Sequence, residues 1–308
     1  MFAVVTGGAG FIGSHLVDTL VAQGNEVLVI DSLCAGKKET IARHIDGCRV
    51  RFVQKALLSD GWQDTIAGAD RLFHLAADPD VRQSAANPDP TMQNNVVATY
   101  RVLEAMRLHE VPEIVFTSTS TVYGEAQIIP TPEDYTPLEP ISVYGASKLA
   151  CEALISAYCH SFGMKSWNFR FANIVGERAS HGVLFDFIRK LRENPAELEI
   201  LGSGRQKKSY LEVKDCVEAM LLCLQASEEK VNLFNIGSED AVDVKEIADI
   251  VVRHMGLKDV SYRYTSGEEG RGWKGDVRVM LLSLDKIKSL GWRPKGSSST
   301  TRRAPPMA

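Results

Sequence analysis

The sequence predicts an α/β fold: a doubly wound parallel sheet with a smaller α/β C-terminal lobe. Three observations predict it. Short apolar runs alternate with helical patterns through the first half of the chain. A glycine-rich turn joins the first run to the first helical pattern. Beyond about residue 170 the pattern becomes less regular and richer in Gly turns. A parallel sheet needs such alternation, because each strand must be followed by a crossover that carries the chain back over one face, and a helix does so.

The elements follow in order. Residues 2–5 read as a strand, and 15–23 as a helix with Leu16, Leu20 and Val21 on one side. Strands follow at 27–30, 51–53, 71–75 and 114–116, with helices at 94–109 and 145–162. In the second half, Gly turns mark 202–204 and 267–275, Val231–Ile236 reads as a buried strand, and Val244–His254 as an amphipathic helix. The expected division is a nucleotide-binding domain over 1–172, with strands returning to it from about 210–238, and a substrate lobe over 173–295. The stretch 296–308, polar and without apolar periodicity, is expected to be disordered.

Composition narrows the partners. The 308 residues are 44% hydrophobic and 24% charged, with a net charge of −4. The basic pairs Lys37-Lys38, Lys207-Lys208 and Arg302-Arg303 are isolated and read as solvated surface, so nucleic acid is not an expected partner. No apolar run approaches the ~18 residues that would cross a bilayer. The chain enters its first strand at once, which points away from a secretory leader. Six cysteines show no Cys-x-x-Cys pair and no zinc spacing, so no metal is expected, and free thiols suit a cytoplasmic protein.

The first turn is Thr6-Gly-Gly-Ala-Gly-Phe-Ile-Gly13. Gly7, Gly10 and Gly13 let backbone approach a pyrophosphate closely, while Phe11 and Ile12 open a helix whose free N–H groups favour an anion. This is the Rossmann arrangement. Asp31 ends the second strand 18 positions after Gly13, where a carboxylate can bond both ribose hydroxyls and repel a 2′-phosphate. NAD is therefore expected rather than NADP. Leu75, Ala76 and Ala77 end a later strand with small side chains over which a cofactor can lie; His74 beside them reads as a packed structural histidine.

Tyr144 and Lys148 stand four apart at the start of a helix and so share a face. A lysine there can lower the pKa of the tyrosine. It needs lowering: with a pKa of ~10, about one phenol in a thousand is ionised at pH 7. Tyr210 and Lys214 repeat the spacing, but in a strand-like stretch, where such positions are ~13 Å apart. The run Thr117-Ser-Thr-Ser-Thr-Val-Tyr-Gly124 places hydroxyls at a strand end, where open α/β sheets bind ligands.

With Asn95-Val-Val-Ala-Thr99, Ser142 to Lys148, Arg170-Phe-Ala-Asn173 and the Gly202 and Arg271 loops, the sequence over 1–294 resembles the extended short-chain dehydrogenase/reductase family, within it the UDP-glucose 4-epimerase branch. The resemblance implies Tyr144 as catalytic base and acid, Lys148 as its partner, and Thr119 bonded to the sugar O4. It implies Asn95 near the cofactor, and a UDP-hexose held by Asn173, Lys208, Arg271 and Asp276. Lys208 replaces an arginine, keeping charge but losing bidentate geometry. It also implies a homodimer through the helices at 94–109 and 145–162, although Val97, Leu103, Met106, Leu149, Leu154 and Tyr158 would serve equally as core. Ala56-Leu57 stands where relatives carry an Asp that meets adenine. Sugar-nucleotide 4,6-dehydratases and decarboxylases share the fold; they commonly carry a carboxylate just after the matching Thr, where this chain has Ser120 and Thr121. A non-catalytic NAD-binding sensor would be expected to lack Tyr144 or Lys148.

Overall fold

The computed structural model describes residues 1–265 and 270–299. Seven parallel strands form the central sheet: β1 (Phe2–Thr6), β2 (Glu26–Asp31), β3 (Val50–Gln54), β4 (Arg71–His74), β5 (Glu113–Thr119), β6 (Lys165–Phe171) and β11 (Val231–Ile236). Their order is β11-β6-β5-β4-β1-β2-β3. The order reverses between β1 and β4, paired with Thr6 opposite His74. That reversal is where a doubly wound sheet opens a crevice at its strand ends.

Helices cover both faces. On one, α1 (Phe11–Ala22) and α8 (Val213–Ala226) bury Leu16, Leu20, Cys216 and Met220 against Phe169 and Phe234. On the other, α5 (Ala98–Leu108) and α6 (Val143–Phe162) bury Val102, Met106 and Ile155 with Trp62 and Leu72. Two apolar faces explain why the strands read as continuous hydrophobic runs. Short helices α2 (Ala42–Asp46), α3 (Val81–Ala86) and α4 (Pro88–Thr91) fill the connections. Between α4 and α5 the chain makes a π-helical turn, Met92–Val97.

The second lobe has its own core: Phe187 and Leu191 of α7 (Val183–Glu193), Leu198 and Ile200 of β8 (Glu197–Ile200), and Ile247 and Val251 of α9 (Val244–His254). β9 (Lys207–Lys208) lies between β12 (Val242–Asp243) and β14 (Val279–Met280), and β13 (Ser261–Tyr264) pairs with β8. A last short helix, α10 (Asp285–Ser289), packs on β11.

Several expectations are adjusted. Of the strands expected to return from 210–238, β11 joins the main sheet beside β6, whereas β10 (Tyr210–Glu212) pairs with β7 (Asn173–Val175). The second Tyr/Lys pair is split between β10 and the first turn of α8, so its members never share a helix face. The expected disorder from Gly296 does not begin there. Ser298 is fully buried, its Oγ donating to the Asp240 carbonyl at 2.8 Å and accepting from Tyr210 N at 3.0 Å. Residues 300–308, and 266–269 of the expected 267–275 turn, lie outside the described residues. Leu103 and Met106 are fully buried core, which removes them from any pairing face, while Val97, Tyr100, Leu108 and Phe162 are exposed on the same helices. Among the described residues no helix is long and apolar enough to cross a membrane.

Candidate active site

The crevice begins at the glycine turn. Gly7 takes φ +72°, and a Cβ on it would stand 2.6 Å from Ala76 N; one on Gly13 would stand 2.2 Å from Gly7 O. Those two glycines are required by the protein's own backbone. Gly10 differs: its missing Cβ would meet only Gly7 O, at 3.2 Å, so the space above it is open. Helix α1 starts at Gly10 without a side-chain cap, leaving first-turn N–H groups of Phe11, Ile12 and Gly13 available to an anion. Ala76 and Ala77 lie beside this turn, just past β4.

Asp31 is buried at the end of β2. Its Oδ2 accepts from Ala9 N at 2.9 Å and its Oδ1 from Leu33 N at 2.8 Å. A carboxylate has about four acceptor positions, so two remain for ribose hydroxyls. An open cradle over Gly10, a free helix start and this carboxylate together fit NAD. Ala56, which the resemblance sets against adenine, is exposed and offers a methyl group only.

His74 is fully packed: Nδ1 meets Thr6 Oγ1 at 2.8 Å and Nε2 meets Thr99 Oγ1 at 3.0 Å. Burial pushes it down to about 3, so it is neutral. Asn95, in the π-helical turn, accepts from Asp78 N at 2.8 Å and donates to Ser147 Oγ at 2.9 Å. It thus ties the chain after β4 to the start of α6.

Ser142 caps α6 by accepting from Gly145 N at 3.0 Å. That cap fixes the first turn, from which Tyr144 projects. Burial pushes the Tyr144 phenol up to about 12, against the pull of the neighbouring Thr119 side chain. Thr119 and Tyr144, separate in sequence, are therefore together. Lys148, buried one turn later, donates to Thr117 O at 2.9 Å and lies 4.7 Å from the centre of the Phe116 ring. Burial draws its ammonium down to about 8. In the protein alone, Lys148 is not among the groups that pull the phenol down. The ammonium is committed to a backbone carbonyl, and desolvation dominates the phenol. Asp78, which no motif singled out, adds a negative charge that raises Tyr144 further.

Across the crevice stands the second lobe. Asn173 Nδ2 donates to Ser209 O at 3.2 Å. Lys208 Nζ meets Asp276 Oδ1 at 2.5 Å, and Arg271 Nη1 donates to Glu125 Oε1 at 2.6 Å. Glu125 was missed by sequence reasoning; it follows Gly124, whose φ is +62° and whose Cβ position is taken by Glu139 O. Lys208, Arg271 and Asp276 thus converge, already paired by carboxylates. A cavity of about 480 Å³ beside them is lined by Glu125, Gln206, Gly270 and Arg278. Another, of about 520 Å³ between α1 and α8, contains none of the groups above; the strand ends, not cavity size, locate the site.

What such parts can do together is narrow. A phenol beside a threonine hydroxyl, at the mouth of a dinucleotide crevice, defines the class of NAD-dependent enzymes that handle a substrate hydroxyl. The chain belongs to the NAD dependent epimerase/dehydratase family, whose model matches residues 3–237. It is similar to a crystal structure of a UDP-galactose 4-epimerase with a TM-score of 0.88 and 43% identity, over 98% of this chain and 96% of that one. The UDP-glucose 4-epimerase of Thermus thermophilus, solved with NAD, gives 0.86 and 31%, over 98% and 97%. The UDP-glucose 4-epimerase of Corynebacterium glutamicum is 30% identical over 98% of this chain and 93% of its own length. UDP-glucuronic acid decarboxylase 2 of Arabidopsis thaliana is also 30% identical, over 95% of this chain and 65% of its own.

Proposed function

We propose that the protein interconverts UDP-glucose and UDP-galactose by reversible oxidation at the sugar C4. One observation carries the choice among the family's chemistries: the positions after Thr119 are Ser120 and Thr121, and the Thr119 hydroxyl lies 3.1 Å from that of Thr121 with no carboxylate between. Elimination and decarboxylation need further acid–base groups there. The nearby carboxylates have other partners, Glu125 with Arg271 and Asp78 with Thr91 at 2.7 Å.

NAD bound in the crevice would supply reversible hydride acceptance. The crevice residues Gly7, Gly10, Phe11, Ile12, Gly13, Asp31, Leu75, Ala76, Ala77 and Asn95 would hold it. Tyr144 would take the proton from the 4-hydroxyl and give it back, Thr119 would orient that oxygen, and Lys148 would supply positive charge beside the phenol. Asn173, Lys208 and Arg271 would hold the nucleotide diphosphate, the cations exchanging carboxylate partners for phosphate oxygens, and Asp276 would accept from the ribose hydroxyls. The purified protein, given UDP-galactose without added NAD, is expected to form UDP-glucose. A 4-keto-6-deoxy product, or no product from a protein that retains NAD, overturns the reading.

A cytoplasmic location suits the six free cysteines. The exposed Tyr100, Leu108 and Phe162 on α5 and α6 support a homodimer through these helices. Sedimentation is expected to give twice the chain mass at micromolar concentration, and a monomer there refutes it.

A further inference from the structure

The loop from Gly270 to Asp276 crosses the mouth of the crevice. Arg271 ties it to Glu125, past the end of β5. Asp276 ties it to Lys208 in the second lobe. Gly275 (φ +85°) sits so close to the start of α6 that a Cβ would stand 3.1 Å from Ser142 Cβ. Between these anchors Trp273 lies with Lys208 Nζ 5.0 Å from its ring centre and the Arg82 guanidinium 5.7 Å from it. Arg82 is on α3, two residues before Ser84, whose Oγ accepts from Tyr144 N at 3.3 Å. The indole therefore spans from the catalytic helix's neighbour to the diphosphate-side cation.

Its own donor is unused. Among the described residues Trp273 Nε1 is buried without a hydrogen-bond partner, and Gln206, 4% exposed beneath the same loop, leaves Oε1 unpaired. A buried donor without an acceptor gives up its hydration and gains no bond in return. Arg82 has no carboxylate partner among the described residues, so the ring lies between one unpaired cation and one held by Asp276. Such a place suits an anion that accepts hydrogen bonds.

We propose that Trp273 is a substrate-positioning residue: its indole N–H donates to a diphosphate oxygen of the bound nucleotide sugar, between Arg82 and Lys208. This rests on the reading of the crevice as a sugar-nucleotide site. A hydrogen bond to a charged acceptor is stronger than one between neutral groups. Trp273→Phe keeps a ring between the two cations and removes only the donor.

The test uses the full-length protein and UDP as probe, by calorimetry, with wild type and W273F side by side. W273F is expected to bind UDP at least tenfold more weakly and to raise KM for UDP-galactose by a similar factor. Its kcat, NAD content and thermal midpoint are expected to stay near wild type. Trp62, Trp167 and Trp292 are buried at 3% exposure or less, so a UDP-dependent change in tryptophan fluorescence is expected in wild type and lost in W273F. Equal UDP affinity in the two proteins, or an unchanged fluorescence response, overturns the proposal. A wild type that binds UDP but does not epimerise defeats the functional reading and leaves this comparison intact. A wild type that binds no UDP defeats both.

Discussion

Tyr144→Phe is expected to lower turnover of UDP-galactose by about 10³-fold, within the range for loss of a positioned proton-transfer group, and to leave NAD bound. Phenylalanine retains the ring that fills the space under Thr119, so the crevice keeps its shape. Only the oxygen that exchanges a proton is lost. The wild-type rate is expected to rise with pH along an acidic limb, because a phenol held at about 12 in the protein alone must lose its proton to act as base. That limb is expected to vanish in the variant. Single-turnover kinetics and released-nucleotide analysis measure both quantities. A variant within tenfold of wild type excludes Tyr144 as the proton carrier.

The second large effect concerns stability. Glu152, one turn beyond Lys148 on α6, accepts from Arg170 Nη2 at 2.7 Å and Nε at 3.1 Å, and from the Ser118 hydroxyl. The side chains of Arg170 and Glu152 are 4% and 10% exposed, and the guanidinium also lies 4.7 Å from the Tyr123 ring centre. Glu152→Ala leaves a buried cation without its counter-charge, which typically costs 3–5 kcal/mol. For a chain of 308 residues each kcal/mol moves the thermal midpoint by about 1.5 °C, so a drop of roughly 5–8 °C is expected. Replacing both partners by Met is expected to recover most of the loss, because no orphaned charge remains. Urea midpoints for the two variants decide it; a Glu152→Ala protein within 1 kcal/mol of wild type defeats the argument.

Local chemistry was readable where one short segment decides the outcome. The glycine turn between β1 and α1, Asp31 at a strand end and the four-residue step from Tyr144 to Lys148 are of this kind. The neutral packing of His74 was readable as well, from its place at the end of an apolar strand. Long-range choices were not. Glu125 follows a glycine in a loop, and only the fold brings Arg271, 146 residues later, against it. Burial of Ser298 depends on Asp240 and Tyr210, which no local pattern of Ser and Thr announces. Leu103 and Met106 show the same limit: helical spacing says they share a face, and only the assembled layers say that the face is inward. The burial of Tyr144 shows the same limit, since spacing reports proximity to Lys148 but not how much water the fold removes.

One carboxylate sets a limit on redesign. Asp31 grips Ala9 of the glycine turn and Leu33 beyond β2 with the two oxygens that would also read the ribose. An engineer who wished to convert this chain to a phosphorylated dinucleotide would begin by exchanging that acid for a neutral or basic residue. The exchange would remove the clasp that shapes the turn, so cofactor preference and turn geometry cannot be edited independently. A successful conversion would have to supply a new acceptor for those two amides elsewhere.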